Sequence, residues 1–226
     1  PTDNVLDVMI GQEGTLGIVT RAWTKLIKQP EEVLGMIVYF SETESCISCV
    51  EELRKGSQRP NQEAQAESLN PRAIEFFDVR SIGLMRTRVD VPSEAICGLF
   101  IEVEYEGELD LDPWFALFEQ HSALCDEIIA AENDEERERL YRIRHAIPAG
   151  VNEQIIANGM PKIGTDFSVP DDGLREMMHA YDSVSIPSVL FGHIGDNHLH
   201  LNLLPRTQEE LDEARILYRQ LVYKIC

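Results

Sequence analysis

Residues 191–200 read FGHIGDNHLH, placing His193, His198 and His200 within eight positions, half of the six histidines in the chain. Imidazoles at this spacing can ligate a metal or move a proton. Gly195, Asp196 and Asn197 read as a turn, so the flanking segments form a hairpin. Successive side chains on a strand alternate faces, so Leu199, Leu201 and Leu203 share one side and His198, His200 and Asn202 the other. The leucines face the core. The turn folds His193 back beside His200, and two imidazoles on adjacent strands make half of a Zn²⁺, Mn²⁺ or Fe²⁺ site. No carboxylate completes the pattern, so spacing alone leaves a solvent-facing hairpin as the alternative.

Three further stretches carry reactive residue types. ERERLYRIRHAIPAGVNE (136–153) holds Arg137, Arg139, Arg142 and Arg144 among many acids. Most of these arginines read as i,i+4 partners on a solvated helix, as with Glu138 and Arg142. Arg144 differs, because the acidic run ends there and apolar residues begin; its planar fork suits a carboxylate, with Arg142 as the alternative. GQEGTLGIVT (11–20) spaces glycines at 11, 14 and 17, a backbone that can approach a ligand closely, although the dinucleotide fingerprint GxGxxG is not met. The pair Cys46 and Cys49 lies on one face of a helix whose start is predicted by Ser41 and Glu44, where cysteine packs as a small hydrophobe. Five cysteines at irregular spacing point to a reducing compartment.

The elements that hold these residues alternate between strand and helix. GMIVYF (35–40) and AICGLFIEVEYEG (95–107) read as strands, and VTRAWTKLI after the glycines as another. Asn70-Pro71 predicts a helix through RAIEFFDVRSIGLM, and Asp112-Pro113 one through WFALFEQHSALCDEIIA. A long helix begins in the acidic run near 132, KIGTDFSVP is a strand, DDGLREMMHAY a short helix, and Thr207 with Glu210 caps a final helix. This order predicts an α+β fold, an antiparallel sheet with helices mainly on one face. Hydrophobic residues make up 43% of 226, enough for a core, and no apolar run reaches the roughly 20 residues of a membrane span. The net charge of −20 repels nucleic acid and anionic lipid, so a nucleic-acid partner is not expected.

Two motifs resemble one family. DVMIGQEGTLGIVTRAWTKLIKQP is similar to the closing segment of the flavin-binding domain in the vanillyl-alcohol-oxidase-like, FAD-linked oxidases, with Gln12 where a Ser is usual. FGHIGDNHLHLNLLP is similar to the G-H-x-G-D-G-N-x-H-x-N signature in the substrate domain of the same oxidases, among them D-lactate dehydrogenases, glycolate oxidase flavin subunits and D-2-hydroxyglutarate dehydrogenases. Here Asn197-His198 stands where Gly-Asn is usual. The resemblance implies a ferredoxin-like C-terminal domain. Residues 1–29 would be the tail of the FAD-binding domain and 30–226 a substrate domain that stops before an S-A-E-H-G-x-G motif bearing a third metal ligand and the base. It implies flavin contacts at Glu13, Gly14, Thr15, Leu16, Gly17, Ile18 and Val19, and a divalent metal, Zn or Mn, on His193 and His200. Arg144 and Asn202 would contact the substrate, and Lys162 would add positive charge.

The expected activity is oxidation of a small 2-hydroxy acid by FAD, which this piece would not retain alone, with an electron-transfer partner and a cytoplasmic or membrane-peripheral location. An alkylglycerone-phosphate-synthase-like transferase and a metal-binding domain without redox activity are the alternatives.

Overall fold

The computed structural model describes residues 5–56, 69–87, 89–131 and 133–225. Strands that are apolar on both sides decide the architecture. In β1 (Glu32–Phe40) and β3 (Cys97–Tyr105), Leu34, Met36, Val38, Leu99, Ile101 and Val103 enter one buried cluster, while Ile37, Tyr39 and Phe100 enter a second on the opposite face. Such strands need cover on both sides. Beyond a short helix α1 (Val5–Met9) with no buried residue, helices α2 (Thr43–Gly56), α4 (Asp112–Gln120), α6 (Leu174–Asp182) and α7 (Gln208–Ile225) contribute to the first cluster. Helices α3 (Val79–Met85) and α5 (Asp134–Asn158) contribute to the second. The sheet is antiparallel and its helices lie mainly on one face, as the element order predicts.

The eight strands run β4 (Ile129–Ala131), β1, β3, β2 (Pro71–Phe77), β7 (Ser188–His193), β8 (His198–Leu203) and β5 (Ile163–Gly164), with β6 (Phe167–Ser168) also paired to β8. All of these pairings are antiparallel. Leu199, Leu201 and Leu203 of β8 pack into the first cluster, so His198, His200 and Asn202 occupy the other face as the alternation requires. That face carries α3 and α5 but leaves the histidine end of the hairpin partly open.

Four stretches depart from the sequence reading. The helix predicted from Asn70-Pro71 is instead strand β2 followed by α3. Ile74 and Phe76 face the first cluster and Phe77 the second, a period of two that the Pro71 signal hides. Pro71 sits at the strand's first residue, where a missing N–H is tolerated. Asp78 is the true N-cap, its carboxylate accepting the Ser81 N–H at 2.8 Å. Helix α4 stops at Gln120, where Ser122 takes a left-handed φ of 56°, and residues 129–131 leave it to extend the sheet edge. Residues 18–30 form no strand; most of their side chains are exposed, with no described strand beside them to pair with. Helix α2 begins at Thr43, two residues beyond Ser41. Cys46 and Cys49 are buried on its inner face, and burial pushes the Cys49 thiol up to about 12. They are core residues, as their helical spacing implies.

Candidate active site

The hairpin register sets the histidines. His193 lies directly opposite His198, and His200 opposite Phe191, so His193 reaches His200 diagonally. The His193 and His200 ring centroids are 5.7 Å apart and nearly perpendicular, and His198 lies 4.7 Å from His200. A carboxylate stands behind each ring. Nδ1 of His193 lies 2.6 Å from Glu75 Oε1, and Nδ1 of His200 lies 3.2 Å from Asp166 Oδ1. An Nδ1–H held by a carboxylate, as on His193, leaves Nε2 as the free lone pair, the usual arrangement behind metal-binding imidazoles. With metal–nitrogen bonds of about 2 Å, rings at this separation can meet at one ion. Asp166, His198 and His200 also bring one donor atom each within 4.8 Å of one another, a two-imidazole, one-carboxylate set. The donor chemistry therefore fits a divalent transition metal.

Arg144 arrives from α5. Its Nη2 donates to Glu75 Oε1 at 2.5 Å, the oxygen that also meets His193. Pro148, four residues on, has no N–H to donate to the Arg144 carbonyl. Arg144, Pro148, Phe77, Phe191, His193 and His200 line one cavity of about 210 Å³. Arg142 instead forms the predicted exposed pair with Glu138 at 3.7 Å. Asn202 lies on the histidine face but is covered: it is 2% exposed, accepts from Lys162 Nζ at 2.5 Å, and donates to the His200 carbonyl at 3.1 Å. Partial burial lowers the Lys162 pKa.

A neighbouring cavity of about 460 Å³ has Arg54 and Arg72 on its wall. Arg54 pairs with Asp171 and donates to Asn197 Oδ1 at 2.5 Å; Arg72 reaches Glu104 at 3.1 Å and Glu102 at 3.6 Å. Both guanidiniums are paired with acids, as Arg144 is with Glu75. Asn197 takes the left-handed φ of 58° that a glycine fills elsewhere in such motifs, and its amide also donates to Val169 O at 3.1 Å.

Residues 13–19 stand apart from this cluster. Gly11 and Gly14 have φ of 74° and 77°, with nothing within 4 Å of where a Cβ would be. Gln12 closes the turn, its Oε1 accepting the Leu16 N–H at 2.9 Å and its Nε2 donating to Gly17 O at 3.2 Å. Glu13 and Gly14 to Leu16 are exposed, a pre-shaped backbone turn that a flat cofactor could approach. It fits one edge of a flavin site.

Sequence reasoning missed Glu75 and Asp166 as site residues. Glu75 was hidden by the helix assignment, although a lone acid inside AIEFF is the mark of a charge pointing into a strand's covered face. Asp166 lies in KIGTDFSVP between two strands of two residues each, where alternation assigns its carboxylate no face.

Burial, followed by the nearby His198 charge, lowers the His200 pKa below its ordinary 6.5, against opposing contributions from Thr165 and Asp166. Below that unfolded value the unfolded chain binds a proton that the folded chain resists. Stability from this group is therefore full above about pH 6.5 and declines as pH falls toward the folded pKa. Thermal unfolding between pH 7.5 and 5 should show this decline, and it should shrink in His200→Gln. An identical pH slope in the two proteins would contradict it.

The FAD linked oxidases, C-terminal domain family matches residues 30–226, and the chain belongs to that family. It is 25% identical over 219 residues to the D-2-hydroxyglutarate dehydrogenase of Stutzerimonas stutzeri (strain A1501), covering 91% of this chain and 43% of that protein. It is 23% identical over 209 residues to the D-lactate dehydrogenase of Archaeoglobus fulgidus, covering 87% of this chain and 41% of that one. The chain thus spans about two fifths of the length of these relatives. An alkyldihydroxyacetonephosphate synthase structure shares the fold, with a TM-score of 0.65 and 15% identity over 99% of this chain and 45% of that one. Among the described residues no helix is long and apolar enough to cross a membrane.

Proposed function

We propose that this chain supplies the substrate-binding and metal-holding part of an FAD-dependent D-2-hydroxy-acid dehydrogenase, of the D-lactate or glycolate type, that oxidises a 2-hydroxy acid to the 2-oxo acid. The convergence of Arg144, His193 and His200 on one cavity of about 210 Å³ carries this reading. A 2-hydroxy acid presents a carboxylate and a hydroxyl on adjacent carbons. Arg144 binds the carboxylate through its planar fork. His193 and His200 hold a divalent cation beside the hydroxyl, and the apolar Phe77 and Phe191 exclude water from the α-carbon. Lys162 adds positive charge nearby against a background of −20, which favours an anionic substrate. The chemistry supplied by the cation and the flavin, when bound, is Lewis acidity toward the hydroxyl and acceptance of a hydride from the α-carbon.

Residues 1–29 act as the tail of the FAD-binding domain, with Glu13, Gly14, Thr15, Leu16, Gly17, Ile18 and Val19 along the flavin. An electron-transfer partner then takes the electrons onward. The alternative is a transferase of the alkylglycerone-phosphate-synthase type, whose fold this chain shares. The deciding experiment is anaerobic mixing of the whole purified protein with D-lactate, glycolate or D-2-hydroxyglutarate. Bleaching of the flavin absorbance by at least one of them is expected, and a flavin left oxidised by all 2-hydroxy acids would defeat the proposal.

A further inference from the structure

Glu75 has no role in the reading above, yet its carboxylate occupies the most constrained place in the site. It sits on β2, flanked by β3 and β7, and is 8% exposed. A buried carboxylate is costly unless charged or hydrogen-bonding partners compensate it. Its compensation comes from two groups on different elements, both at the same oxygen: Arg144 Nη2 from α5 at 2.5 Å and His193 Nδ1 from β7 at 2.6 Å. These are the residues assigned to the substrate carboxylate and to the cation.

We propose that Glu75 is the positioning residue of this site, one oxygen that orients the carboxylate-binding arginine and fixes the tautomer of the metal-binding histidine. By accepting the Nδ1–H of His193, Glu75 keeps Nε2 unprotonated and directed away from itself. By accepting from one guanidinium nitrogen, it holds Arg144 over the Phe100 ring, 6.0 Å from the centroid, with its remaining donors available to the cavity. Two ligand-binding groups from separate elements are thereby tied to one strand. The inference deepens the dehydrogenase reading and rests on its assignments of Arg144 and His193.

The test uses the whole protein and Glu75→Gln, which keeps the side-chain volume while removing the charge. Zn²⁺ affinity, measured by chelator competition, should fall by about 10- to 100-fold, the usual consequence of losing the group behind a ligating imidazole. The KM for the 2-hydroxy acid should rise about tenfold as Arg144 loses a charged partner. Each effect must vanish in its own background: the Zn²⁺ effect in His193→Ala and the KM effect in Arg144→Ala. Losses that persist undiminished in those backgrounds would mean that Glu75 only supports the fold, and would overturn the proposal, as would unchanged affinity and KM. A third readout needs neither metal nor substrate. In ¹⁵N-histidine spectra of the metal-free protein at alkaline pH, His193 should be a single Nδ1–H tautomer and should become mixed in Glu75→Gln. Should the whole protein oxidise no 2-hydroxy acid, the functional reading fails while this spectrum still decides Glu75; the same tautomer in both proteins overturns its role.

Discussion

Gly192→Ala should destabilise the chain by about 3 kcal/mol or more and disrupt the histidine cluster at the same time. Gly192 is the residue before His193, with φ of 138°, a conformation that side chains rarely adopt. A Cβ there would lie 2.8 Å from His200 Cδ2, 3.0 Å from the His198 carbonyl oxygen and 3.2 Å from the His200 nitrogen. The first contact could be relieved by turning a ring. The other two are backbone atoms of the paired strand, so relief requires β7 and β8 to separate where they carry the site. Backbone strain and overpacking each contribute about 1–3 kcal/mol, and here they act together. Gly83→Ala in α3 is the matching control, because a Cβ there meets nothing within 4 Å. It should be neutral or stabilising by about 0.4–1 kcal/mol. Urea midpoints at unchanged slope measure both changes; a Gly192→Ala midpoint equal to that of the parent would show that the hairpin is looser than its contacts imply.

The hairpin was the most legible part of the site because its information is local. A turn and a period of two place His193, His198 and His200 without reference to anything else in the chain. Arg144 was legible for a related reason, since the change from acidic to apolar sequence at that point marks the helix face that meets the sheet. What the sequence hides is partnership across distance. Glu75 lies 118 positions from His193 and 69 from Arg144, and no local pattern reports such a meeting. The misread helix at 70–85 had a physical cause: Asn-Pro is an equally good start for a strand and for a helix, and only the neighbours β3 and β7 decide between them. Asp166 falls between the two short strands β5 and β6, each only two residues long, too brief for alternation to announce which way the carboxylate points.

His200→Ala in the whole protein should lower turnover by about a thousandfold, the scale of the several kcal/mol that a Lewis-acid cation contributes to a transition state. Flavin content should stay unchanged, because residues 13–19 lie outside the histidine cluster. The size of the effect follows from the place of His200 in both candidate ligand sets, with His193 in one and with His198 and Asp166 in the other. Those sets separate in two further variants. His193→Ala should match His200→Ala in loss of Zn²⁺ affinity, since each ring has a carboxylate oxygen close to its Nδ1. His198 is different: its Nε2, the atom that would ligate, is the one lying 2.8 Å from Asp166. His198→Asn should therefore change Zn²⁺ affinity by less than about threefold, well short of the 10- to 100-fold that follows loss of an outer-sphere partner. If His198→Asn instead removes the metal and His193→Ala spares it, the cation belongs on Asp166, His198 and His200.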